Sequence, residues 1–126
     1  MKGNDNMTHK KVITAYKVLE KMSKQTLPIK EAYALHKLRG KLKTAFDFQV
    51  EQEERLIEKL NPKIENGSLF FQNVDDAQEW QDEMIAVGNI ESDIEFEPIK
   101  ISINDDLQIS LDDIDALEGF VDFVEC

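Results

Sequence analysis

Cysteine is nearly missing from this chain: the one present, Cys126, has no second thiol to meet. That excludes a disulfide framework and a cysteine-built zinc site within the chain. Glycine is sparse and scattered (Gly3, Gly40, Gly67, Gly88, Gly119), and no GxGxxG or GxxxxGK phosphate loop is formed. No apolar run approaches the roughly eighteen residues that a bilayer span needs. The opening MKGNDNMTHKK has no apolar stretch behind its basic residues, so no secretory leader is expected and the expected compartment is the cytoplasm. The Asn-x-Ser/Thr triplets at Asn6 and Asn66 then read as chance matches.

Catalytic chemistry is equally short of candidates. His9 and His36 lie 27 positions apart without HExxH spacing, and no serine carries a nucleophile signature. The pairs Asp75-Asp76, Asp105-Asp106 and Asp112-Asp113 read as caps and turns. NDDLQISLDDID lacks the central glycine of a calcium loop. The expectation is a protein that is not an enzyme, with no catalytic residue, cofactor or metal ligand.

What the chain does have is charge, unevenly placed. Residues 1–60 hold thirteen Lys and Arg against eight Asp and Glu, net +5, whereas residues 61–126 hold Lys63 and Lys100 against eighteen acids, net -16. Such a division marks either two surfaces with different partners or two halves that attract each other. With 126 residues, 41% hydrophobic, the chain can bury one core, so a single domain is expected over 1–126: residues 1–9 disordered, 10–60 a helical hairpin, 61–126 an acidic α+β part.

Periodicity places the elements. From Lys10, Val12, Tyr16, Leu19 and Met22 form an apolar stripe widened by Ala15 and Val18. Pro28 closes that helix and opens a second, about Pro28 to Leu60, with Ala32, Leu35, Leu38, Leu42, Ala45, Leu56 and Leu60 on its stripe. At 1.5 Å per residue it spans roughly 48 Å. It either bends near Gly40 or projects as half of a hairpin. Asn66-Gly67 signals a turn before a strand over Ser68–Gln72. A third helix follows, capped at Asn73 or Asp75 and closed by Gly88, its expected buried face Ala77, Trp80, Met84 and Val87. SDIEFEPIKISIN alternates as an edge strand with a slip at Pro98. SLDDIDALEGFVDFVEC reads as a last helix capped by Ser110, with Leu111, Ile114, Leu117, Val121 and Val124 as its stripe. The fold class expected is α+β: an N-terminal antiparallel helical hairpin, a small antiparallel sheet and two short amphipathic helices.

Two surfaces stand out for partner binding: a basic helix face of Lys37, Arg39, Lys41 and Lys43, and an acidic face of Glu95, Glu97, Asp105, Asp106, Asp112 and Asp113. The excess of acid in the second half argues against direct nucleic-acid binding. The run from AYKVLEKMSKQTLPIKEAYALHKLRG to EERLIEKL resembles the N-terminal half of a family of small phage and prophage proteins of uncharacterised function. Its marks are a short helix, an LP-x-x-x-A-Y opening (Leu27, Pro28, Ala32, Tyr33) and a long Lys/Glu-rich helix. ISLDDIDALEGFVDF is similar to that family's ending, with its Leu117-Glu118 pair, although Gly119 stands where a bulky residue is expected. The resemblance implies a viral origin, action in the cytoplasm of a bacterial host, and a non-enzymatic protein-binding role, by self-association or docking in a viral assembly. The alternative is an inhibitor of a host defence nuclease, an anti-CRISPR or anti-restriction protein whose acidic face mimics DNA.

Overall fold

The computed structural model describes residues 7–104 and 106–125; what the sequence suggested for residues 1–6, Asp105 and Cys126 lies outside them. Helix α1 (His9–Met22) starts at Thr8, whose hydroxyl accepts the Lys11 N–H at 3.3 Å. The loose N-terminal stretch expected through residue 9 therefore does not include Thr8 and His9. His9 N–H donates to the Ile90 carbonyl at 2.7 Å and Ser92 N–H to that of Met7 at 2.8 Å, around an antiparallel bridge between Thr8 and Glu91. The expected stripe is buried throughout, and Ile13 and His9 join it.

Pro28, extended at φ -51° and ψ 144°, turns the chain into α2 (Ile29–Leu60). Helix α2 is helical throughout, Gly40 included. It ends where Asn61 adopts a left-handed conformation and returns its N–H to the Ile57 carbonyl at 2.8 Å, just before Pro62. Leu35, Leu38, Leu42 and Ala45 lie buried against α1, and Tyr16 stacks on Phe46 with ring centroids 4.6 Å apart. This is the expected helical hairpin.

Strands β1 (Lys63–Glu65) and β2 (Ser68–Phe70) pair antiparallel through Asn66-Gly67, both at positive φ as a two-residue hairpin turn demands. Helix α3 (Val74–Gly88) then folds back beside α1 and α2. Asn73 caps it, its side chain accepting the Asp76 N–H at 2.8 Å. Of its four expected core residues only Val87 is buried; Trp80 and Met84 are half-exposed and Ala77 is exposed.

The C-terminal part corrects the sequence reading twice. The alternating segment is a strand only from Ile99: β3 is Ile99–Ile103, and residues 92–98 have no regular structure, although Ile94 and Phe96 pack on the core. Pro98 has no N–H for a ladder, which begins at the next residue with Ile99 N–H donating to the Phe120 carbonyl at 3.0 Å. The expected last helix is only α4 (Leu111–Ala116), and β4 (Val121–Glu125) follows it. Gly119, at φ +87°, makes the turn. Strands β3 and β4 are parallel, Ile99 opposite Val121 and Ile103 opposite Glu125, so β3-α4-β4 is a crossover unit and not part of an antiparallel sheet. Val121 and Val124 fit helical spacing, but Val121 and Phe123 also fit strand spacing, and the strand packs both against the core.

Two glycines make opposite predictions. A Cβ at Gly40 would meet nothing within 4 Å, so Gly40→Ala is expected to raise stability by about 0.5–1 kcal/mol through helix propensity. Gly119→Ala forces a side chain into positive φ and is expected to lower stability by about 1–2 kcal/mol. Urea midpoints moving in opposite directions check both.

Candidate functional site

The four basic positions of α2 do not form one face. Residues two apart on a helix point roughly 200° apart, so Lys37 and Lys41 lie on one flank and Arg39 and Lys43 on the other. Arg39 donates to the Ser23 hydroxyl at 3.0 Å, tying α2 to the end of α1, and Lys43 pairs with Asp47 at 3.2 Å along its own helix. The Lys37 ammonium stands 5.6 Å from the Tyr33 ring centroid. Lys37 and Lys41 also border a groove of about 480 Å³ whose opposite wall is Glu95, Phe96, Glu97 and Pro98. The acidic segment 95–98 therefore lies across from half of the basic residues.

The acidic positions are divided as well. Glu95 and Glu97 belong to that groove, whereas Asp112 and Asp113 sit in the first turn of α4, which packs on α1. Asp106 N–H is held by the Asn104 side chain at 2.9 Å in a turn, and Asp105 lies outside the described residues. Asp113 is the most constrained of them. Its N–H donates to the Ser110 hydroxyl at 3.1 Å and its carboxylate accepts from Lys21 Nζ at 3.0 Å. The Lys21 hydrogen bond, outweighing the burial that opposes it, holds this carboxyl below its ordinary range.

A third surface was not singled out by the sequence. Helix α3 stands off α1 and leaves an open groove of about 630 Å³, walled by Lys10, Ile13 and Lys17 on α1 and by Trp80, Met84 and Ile85 on α3. Gln49, a polar interruption of the α2 stripe, also lines it. Its Oε1 lies 3.1 Å from buried His9 Nε2 and its amide nitrogen 3.6 Å from Met84 Sδ, so it bridges all three helices. Lys59 pairs with Glu79, whose hydrogen bond raises the Lys59 pKa, and this pins the start of α3 to the end of α2. Spacing alone marked Trp80 and Met84 as core, because an apolar stripe looks the same whether its cover comes from the same chain or from another.

Comparison with known protein families, curated proteins and solved structures finds no match to this chain. Among the described residues no helix is long and apolar enough to cross a membrane, and no three His, Cys, Asp or Glu side chains converge as metal ligands.

The Lys21–Asp113 pair has a pH signature. A depressed carboxyl pKa contributes stability that is complete above the unfolded value, about 4, and is lost as pH falls through the folded one. Lys21→Met should therefore lower stability by up to about 1 kcal/mol at neutral pH. The difference should shrink steadily below about pH 4, which thermal melts of both proteins across that range would show.

Proposed function

We propose that this protein works without catalysis, as a phage- or prophage-encoded accessory protein that binds another protein through the groove between α1 and α3. One observation carries the reading. The groove combines apolar Ile13, Trp80, Met84 and Ile85 with Lys10 and Lys17 as its only charged lining residues, in a chain of net charge -11. Neither lysine is in an ion pair among the described residues. Half-exposed tryptophan beside apolar neighbours is the composition of an interface anchor. The occupant that fits is an amphipathic helix with carboxylates flanking its apolar stripe, laid into the groove as a third helix.

The viral setting, in the cytoplasm of a bacterial host, is supported by the resemblance of the Leu27-Pro28 opening and the Leu117-Glu118 ending. An inhibitor presenting carboxylates to a host nuclease has weaker support. Glu95 and Glu97 face Lys37 and Lys41 across their groove, and Asp113 is already paired with Lys21.

Trp80 is the only tryptophan, so its emission reports directly on the groove. A partner captured from phage-infected lysate and then purified should shift Trp80 emission to the blue. It should bind the double variant Lys10→Glu/Lys17→Glu about tenfold or more weakly. Equal binding to that variant with unmoved Trp80 emission would sink the proposal.

A further inference from the structure

In a parallel pair, the N–H and C=O groups of successive residues point alternately toward the neighbouring strand and away from it. Ile99 N–H donates to the Phe120 carbonyl, so the β3–β4 ladder uses Ile99, Ile101 and Ile103 on β3 and Asp122 and Val124 on β4. The groups turned outward belong to Lys100 and Ser102 on one edge and to Val121, Phe123 and Glu125 on the other. The two edges differ. On β3, Ser102 N–H donates to Glu31 Oε1 of α2 at 2.6 Å. On β4, Val121 N–H turns back to the Leu117 carbonyl at 3.0 Å. The Val121 C=O, both groups of Phe123 and the Glu125 N–H face away from β3. Among the described residues no strand pairs beyond β4. The strand Val121–Glu125 contains no proline, lysine or bulge, three devices that commonly block an open edge.

We propose that the outer edge of β4 takes an extended, lysine- or arginine-bearing segment of a partner protein as an added strand. Charge chooses the occupant. The edge carries Asp122 and Glu125 within a half of the chain whose net charge is -16, and Lys100 is the one cation of this sheet. The pleat sets the partner's pattern. A residue opposite Phe123 shares the half-buried inner face and is apolar, while residues opposite Asp122 and Val124 share the outer face, where a basic side chain meets Asp122. A second copy of this chain fits less well, because each copy carries net charge -11 and the two repel. This edge is separate from the α1–α3 groove, and its test does not depend on that groove.

The test is amide hydrogen exchange by NMR on the full chain, with an acetylated heptapeptide alternating lysine and valine as the probe. In the free protein the Phe123 and Glu125 amides should exchange about tenfold or more faster than those of Asp122 and Val124. The peptide should slow Phe123 and Glu125 selectively, and less so as salt rises. Glu125→Pro removes an outward N–H while leaving the β3 ladder intact, so it should weaken peptide binding about tenfold, one backbone hydrogen bond's worth. Glu125→Gln keeps that N–H and should weaken binding less. Peptide binding without slowed exchange at Phe123 and Glu125 would mean charge adhesion alone and overturn the proposal. So would protection of those amides in dilute protein without peptide, or protection that grows with protein concentration and marks a second copy as the occupant.

Discussion

The burial of α1 is the constraint on which the rest of the structure depends. Val12, Leu19 and Met22 are essentially sealed from solvent and Ile13, Tyr16 and Val18 nearly so, each large apolar side chain contributing about 1.5–3 kcal/mol on full burial. A helix with apolar residues spread over so wide an arc cannot be satisfied by one neighbour. α2, α3 and α4 all pack against it, from three different parts of the chain. Both α4 and β4 follow from that need. The crossover from Ile103 to Val121 brings Leu117 and Phe120 into the core, and Phe96 stacks on Phe120 at 4.9 Å.

Charge refines this arrangement without creating it. The basic first half and acidic second half do meet, at Lys21–Asp113 and at Lys59–Glu79, and each contact joins one of the long helices to a later element. Exposed ion pairs of this kind contribute little to stability because solvent screens them, and they fall well below the apolar burial on α1. What they supply is placement. Asp113 fixes α4 over α1, and Glu79 fixes where α3 leaves α2. Gln25 does the same with neutral groups, donating to the Gln108 carbonyl at 2.7 Å and accepting its N–H at 2.9 Å, which secures the loop before α4 to the turn between α1 and α2.

The parts of the fold that were legible in the sequence are those in which local signals agree. Pro28, Asn73 and Ser110 mark helix starts, and the α1 and α2 stripes are long enough for the helical period to be unambiguous. Asn66-Gly67 likewise has one reading. The failures lie where a short segment satisfies two periods. Val121, Phe123 and Val124 can be placed on a helix or a strand, and the choice is made by Gly119 at positive φ and by the backbone groups of β3 waiting to be paired, which no local pattern records. The candidate surfaces were less legible still. Lys37, Arg39, Lys41 and Lys43 are adjacent as a list of lysines and arginines but alternate across the helix, and only the 200° step implied by a two-residue spacing separates them.

Peripheral elements in a fold organised around one helix are necessarily less complete than those at its centre. α3 buries only Val87 and leaves Trp80 and Met84 half-open; β4 joins the core through Val121 and Phe123 and leaves its outer backbone unpaired. Both have fewer buried contacts than α1, and elements with few such contacts open and rearrange at lower cost. The same shortage that makes them marginal gives them surfaces that a partner can complete. α2 is better covered where α1 packs on it, at Leu35, Leu38, Leu42 and Ala45. An added helix in the groove would cover Trp80, Met84 and Ile85 on α3, and an added strand at β4 would extend a sheet on whose other edge Glu31 holds the Ser102 N–H. The two proposed docking places are therefore those where the core runs out of cover from its own chain.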